Sequence, residues 1–205
     1  MEDVLNITRL ELDALREVGN IGSGNAATAL AQFLNRKIDM AVPNASIMEL
    51  NDIPNLVGGA NKAVLGIFLK IMGEIDGRFL LMFPEETAVK MLKYLIPGCE
   101  VTDMVHLGEM ESSCMREIGN ILAGAFLNAL SVMTQTPMLN SLPSMNFDYA
   151  GAMIDNVVAD MTAVSDKVLM IETSFIEEED MRLHIFILPA PNSLKLLLKK
   201  IGVCE

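Results

Sequence analysis

Glu17 and Asn20 stand three residues apart, and Glu117 and Asn120 repeat the pair one hundred residues later. Residues at i and i+3 share one face of a helix. Each pair belongs to a longer stripe: Asp13, Glu17, Asn20 and Gly24 in the first copy, Ser113, Glu117, Asn120 and Gly124 in the second. At about 100° per residue the four positions fall within an arc of about 60°. Leu15, Val18, Gly22, Ala26, Ala29 and Phe33 fall on the other side. The helix is therefore expected to be amphipathic, with that apolar side toward a core and the polar stripe outward.

An exposed Glu and Asn form no pocket, and the chain has only two histidines, His106 and His184. That is poor equipment for a self-contained triad or a His-rich metal site. It suits insertion of an amide into another protein's site. An Asn carbonyl oxygen accepts and its NH₂ donates, so it can orient a water. Phosphoryl transfer is catalysed largely by positioning, and an amide that orients the attacking water serves it. The Glu could pair with a basic residue of the partner and dock it. A helix-interior Gly costs about 1 kcal/mol relative to Ala. Gly24 and Gly124 are expected to leave room beside the polar pair, while Gly19 and Gly22 face packing contacts. A single E-x-x-N on a helix is commonplace. Two matched copies, each with Gly four residues on, carry more, because neighbouring positions have drifted: Ser23/Ala123, Asn25/Ala125, Ala27/Leu127 and Thr28/Asn128.

The stripes sit in an internal repeat. Arg16-Glu17-Val18-Gly19-Asn20-Ile21 matches Arg116-Glu117-Ile118-Gly119-Asn120-Ile121, and Gly24/Gly124, Ala29/Ala129, Leu30/Leu130 and Pro43/Pro143 keep the register. Later it slips by five, so that Phe83-Pro84 aligns with Leu188-Pro189. Each half predicts a long helix, about 8–34 and about 108–134, with Thr8 and Glu11 at capping-box spacing. An extended segment ending near Pro43 or Pro143 follows, then a less regular stretch. Two strands come next, Ala63–Ile71 with Gly77–Phe83, and Lys167–Ile176 with Met181–Leu188. The acidic run 177–180 reads as a solvated hairpin tip. A short helix after Pro84 or Pro189 closes each half. Three strands per half are too few to bury both faces alone. The expected fold is α/β (α+β): one domain over 1–205, built from two pseudo-symmetric helix–strand–strand–strand–helix repeats, about 1–98 and 99–205. The long helices pack on a shared sheet.

Composition excludes several classes. The 205 residues are 51% apolar, enough for a core, and the net charge is −12 with 27 acidic and 15 basic side chains. No basic stripe is present for nucleic acid or an anionic membrane. Apolar stretches break well before about 18 residues, so no spanning helix is expected. The acidic start, Met1-Glu2-Asp3-Val4, is unlike a signal peptide, and a cytoplasmic location is expected. Cys99, Cys114 and Cys204 form neither a disulfide framework nor a zinc site, and are expected to be small buried hydrophobes. Gly19-Asn20-Ile21-Gly22-Ser23-Gly24 lacks the preceding strand and Lys-Ser/Thr ending of a phosphate-cradling loop.

The two motifs, Asp13-Ala14-Leu15-Arg16-Glu17-Val18-Gly19-Asn20 and Ser113-Cys114-Met115-Arg116-Glu117-Ile118-Gly119-Asn120, resemble the [Asp/Ser]-x3-Glu-x2-Asn motif of the CheC family of chemotaxis phosphatases. Ile21-Gly22-Ser23-Gly24-Asn25-Ala26-Ala27 resembles that family's first site, and the repeated element order extends the resemblance over nearly the whole chain. The resemblance implies a CheC-like fold and dephosphorylation of CheY, the phosphorylated response regulator. By it, Asn20 and Asn120 position the attacking water and Glu17 and Glu117 contact a lysine of the regulator. The regulator supplies Mg²⁺ and the phosphoaspartate, so this chain is expected to bind no cofactor or metal. It also implies CheD, a receptor glutamine deamidase that some members bind. Two sites per chain remove any need for dimerisation. Leu122 stands where the first copy has Gly22 and is expected to alter packing rather than activity. The main rival is a noncatalytic CheY-binding adaptor or flagellar switch component. The intact Glu/Asn pairs favour the phosphatase, and the extra N-terminal peptide or C-terminal rotor domain of a switch subunit is not expected here.

Overall fold

A computed structural model describes residues 9–35, 37–101, 103–159, 167–175 and 181–201. The first repeat contributes α1 (Arg9–Leu34), β1 (Met40–Glu49), a 3₁₀ turn (Leu50–Asp52), α2 (Ile53–Leu56), β2 (Ala63–Gly73), β3 (Gly77–Pro84) and α3 (Glu85–Leu95). The second contributes α4 (Glu109–Thr134), β4 (Met138–Asn140), β5 (Ser144–Tyr149), α5 (Ala150–Ala159), β6 (Lys167–Phe175), β7 (Arg182–Pro189) and α6 (Pro191–Lys200). Both long helices end on a left-handed residue, Asn35 at φ 50° and Gln135 at φ 52°. That conformation turns the chain off the helix axis and toward the next strand.

All seven strands form one antiparallel sheet in the order β1-β6-β7-β3-β2-β4, with β5 also on β2. The two repeats meet where β3 pairs with β7. Each repeat's first strand pairs with the other repeat's hairpin: β1 runs along β6, while β4 and β5 run along β2. Neither half completes its own sheet.

The strand alternation sorts the core into two layers. Leu65, Ile67, Phe79, Leu81, Phe83, Ile171, Ile185 and Ile187 face the layer of α1 and α4. Val64, Leu80, Met82, Met170, Phe186 and Leu188 face the opposite layer, closed by α2 and α5. Strands β3 and β7 are therefore buried on both sides and read as continuous apolar runs. The α2 and α5 layer occupies the stretches whose sequence shows no regular period. In α1 the buried line is Leu15, Val18, Ala26 and Leu30. Phe33, expected in the core, lies in the last turn and is 47% exposed. Among the described helices, α4 is the one long and apolar enough by composition to cross a bilayer. Its Met115, Ile118, Leu122, Phe126 and Leu130 are buried in the core.

Gly19 and Gly22, expected to serve packing, are both buried, and so is Gly119, the counterpart of Gly19 in the second copy. A Cβ at Gly22 would lie 2.5 Å from the Phe126 ring of α4, and one at Gly119 would lie 2.6 Å from Ile67 of β2. Leu122 is fully buried. The extended segments do not end at the prolines. β1 runs through Pro43 on the sheet edge, with a register shift between Ala41 and Asn44. An edge strand tolerates the missing proline N–H where a bulge takes it out of the ladder. In the second repeat the extended chain breaks at Ser141-Leu142-Pro143 and resumes as β5. Thr8, the acidic run 177–180 and Cys204 lie outside the described residues.

Candidate functional site on the two long helices

The packing that buries one face of α1 leaves Asp13, Glu17, Asn20 and Gly24 exposed on the other. Asp13 pairs with Arg16 at 3.6 Å, both more than half exposed, so the bridge adds little stability. At Gly24 an added Cβ would meet nothing within 4 Å. Thr28 Oγ1 donates to the Gly24 carbonyl oxygen at 2.9 Å, a bond that leaves the surface of the stripe open. Gly24 itself lines a groove of about 780 Å³ that runs along Ala27, Thr28 and Ala31 of α1 to Ile38 and Met40.

The second stripe keeps the pattern with one change. Ser113 and Glu117 are exposed, and Gly124, though half-buried where Gly24 is exposed, likewise has nothing within 4 Å of an added Cβ. Asn120 is half-buried, and its Oδ1 accepts a hydrogen bond from Asn140 Nδ2 at 2.9 Å. Asn140 ends β4 and belongs to neither sequence motif. Its signal was a break in the repeat, since the position one hundred residues earlier is Met40. Each stripe thus offers a carboxylate and an amide on an outer helix face, with a glycine beside them whose added Cβ would meet nothing within 4 Å. Such a surface can enter a cleft of another protein, but it cannot enclose a substrate itself.

The remaining titratable groups lie elsewhere. His184 is buried in β7, stacked on Phe186 at 6.2 Å, and its Nδ1 has no hydrogen-bond partner. Burial pushes its pKa below the ordinary 6.5, against the pull of Glu172 and with the help of Arg182. His106 is exposed and bonds Asp103 at 2.8 Å. Cys99 and Cys114 are half-buried rather than fully buried, and burial raises both thiols above their ordinary value. The described residues include no group of three or more His, Cys, Asp or Glu arranged to hold a metal ion.

Comparison with known proteins decides the family. Over 197 residues the chain is 36% identical to the CheY-P phosphatase CheC of Bacillus subtilis (strain 168), covering 94% of this chain and 94% of that protein. The chain belongs to the CheC-like family. The model of that family matches residues 10–47, which hold the first stripe, α1 and the start of β1. Among solved structures, Thermotoga maritima FliY superposes with a TM-score of 0.72 at 20% identity, covering 97% of this chain and 98% of that one. CheX in the CheX–CheY–BeF₃–Mg²⁺ complex from Borrelia burgdorferi superposes with a TM-score of 0.54 at 18% identity, covering 85% and 96%. These two likenesses establish the CheC-like α+β fold, a sheet carrying two long helices, for this member.

Proposed function

We propose that this CheC-like protein is a phosphatase that hydrolyses the aspartyl-phosphate of the chemotaxis response regulator CheY. The observation that carries the reading is the near full-length similarity to a CheY-P phosphatase. It is supported by the twin stripes, which are shaped for entry into a partner. A protein of this fold, CheX, has also been captured in a complex with CheY, BeF₃ and Mg²⁺.

In this mechanism Asn20 or Asn120 enters the phosphorylated site of CheY and orients a water in line with the phosphorus. The water oxygen bonds to phosphorus, the P–O bond to the aspartate breaks, and the carboxylate and inorganic phosphate are released. Positioning supplies the catalysis. The regulator contributes the phosphoaspartate and Mg²⁺. Glu17 and Glu117 pair with a basic residue of CheY and hold the helix in place. Gly24 and Gly124 let the two backbones approach.

The test is phosphate release from phosphorylated CheY with Mg²⁺, comparing wild type with Asn20→Ala, Asn120→Ala and the double variant. Each single variant is expected to keep the other site's turnover. The double variant is expected to lose about 100-fold or more, the scale set by misplacing a reacting group. A double variant as fast as wild type removes the amide from the mechanism.

A further inference from the structure

Asn120 is half-buried where Asn20 is exposed, and its amide oxygen is already held. Asn140 donates from Nδ2 to Asn120 Oδ1 at 2.9 Å and to Ser141 O at 3.2 Å. The backbone that carries Asn140 is fixed in turn. It lies opposite Ile71 in the β2–β4 ladder. Ser141 then clamps the edge, its N–H donating to Lys70 O at 3.0 Å and its Oγ accepting from Lys70 N at 2.9 Å.

The equivalent residue beside the first stripe is Met40, and the equivalence is structural as well as numerical. Met40 lies opposite Phe175 of β6, as Asn140 lies opposite Ile71 of β2. Val64-Leu65-Gly66-Ile67 of β2 matches Val168-Leu169-Met170-Ile171 of β6 in the same phase, which brings Ile71 onto Phe175. A thioether has no proton to donate, so Met40 cannot make this bond to Asn20.

We propose that Asn140 is a positioning residue for the second site, and that the two sites of this protein are unequal because only one has it. The inference rests on the reading of Asn120 as the water-orienting amide. An amide on a helix surface rotates broadly about its last torsion, and few of those orientations are productive. The Asn140 bond selects one amide plane before the partner arrives. An amide oxygen has two lone pairs, so Oδ1 keeps one, and both Nδ2 hydrogens of Asn120 stay available for water and phosphoryl oxygens.

The experiment isolates each site and then removes the bond. Asn20→Ala leaves the second site working, and Asn120→Ala leaves the first. Into each background goes Asn140→Met, the residue that the first repeat carries at this place. In the Asn20→Ala background kcat on phosphorylated CheY is expected to fall about five-fold with KM unchanged, the factor set by one ordinary hydrogen bond. Asn120→Ala/Asn140→Met is expected to be no slower than Asn120→Ala. Met40→Asn in the Asn120→Ala background is expected to raise kcat. Nitrogen-15 relaxation of the Asn120 side-chain amide is expected to show greater mobility in Asn140→Met. An unchanged or faster kcat in the Asn20→Ala background overturns the proposal. Equal losses in both backgrounds also overturn it, since they assign Asn140 to the fold. Failure of the underlying reading looks different: the Asn20→Ala/Asn120→Ala enzyme then keeps the wild-type rate whatever stands at 140.

Discussion

Substituting alanine for glycine at two positions of α1 should move stability in opposite directions. Gly24 and Gly22 lie in the same helix, two residues apart, on opposite faces. At either place alanine removes backbone freedom from the unfolded chain and favours the helix by about 1 kcal/mol. At Gly24 nothing opposes that gain, because an added Cβ has open space around it. Gly24→Ala is therefore expected to be about 1 kcal/mol more stable, which for a chain of this size raises Tm by about 2–4 °C. At Gly22 the new methyl would sit 2.5 Å from one Phe126 ring carbon and 2.9 Å from two more. That ring is fully buried and packs against Phe79 at 6.5 Å between centroids, so it has little freedom to retreat. Overpacking of this kind costs about 1–3 kcal/mol, so after the helix gain Gly22→Ala is expected to end up to about 2 kcal/mol less stable than wild type. Urea unfolding of the two variants measures both numbers. Turnover adds the functional half: Gly24→Leu should fold at least as stably as wild type yet bind phosphorylated CheY more weakly at the first site, assayed in the Asn120→Ala background. A Gly24→Ala protein no more stable than wild type would refute the claim that this glycine serves no packing purpose. A Gly24→Leu protein with unchanged affinity would refute the claim that it is there for a partner's close approach.

Other expectations concern the scaffold. Ser131 Oγ accepts from Met138 N at 2.9 Å and donates to Leu127 O at 2.7 Å, tying the start of β4 to α4. Ser131→Ala leaves a half-buried N–H unpaired and is expected to destabilise by about 1–2 kcal/mol. It should slow the second site more than the first in single-site backgrounds, because β4 carries Asn140. His184 has a folded-state pKa pushed below 6.5, chiefly by burial. Its contribution to stability is present above its unfolded pKa and is lost as pH falls through the lowered folded value, because the unfolded chain takes the proton more readily. His184→Gln should therefore lose stability less steeply than wild type between pH 6.5 and acid, as read by denaturant midpoints at each pH. Ser193 Oγ donates to Asp76 Oδ1 at 2.5 Å and accepts from Asp76 N at 3.0 Å, fastening α6 to the β2–β3 turn. Ser193→Ala should lower the urea midpoint by an amount matching about 1–2 kcal/mol.

The residues that were legible from sequence are those whose signals are local or repeated. Helix periodicity placed α1 and α4 within a residue at either end, and the wheel turned Glu17, Asn20 and Glu117 outward, while Asn120 is half-buried against Asn140. The hairpins followed from apolar runs bounded by glycine and proline. What escaped depends on partners distant in the chain. Phe33 has the right wheel angle for the core, but the wheel says nothing of how far along α1 its neighbours extend. The α2 helix has four residues, too few for a period to register, and α5 is apolar enough to read as either helix or strand. Pro43 argued for the end of a strand, yet an edge with a bulge admits it. Asn140 matters through the register of β4 against β2, a long-range fact that no local pattern encodes.

The central claim is catalytic action on a phosphorylated regulator, and one measurement addresses it directly. Phosphorylated CheY is mixed with Mg²⁺ and a stoichiometric amount of this protein, and the phosphoaspartate is followed to completion while binding is recorded in parallel. The account predicts that the protein binds and that the phosphoryl group is lost faster than from CheY alone. Binding with an unchanged rate of loss would contradict it and make the protein a noncatalytic CheY-binding adaptor.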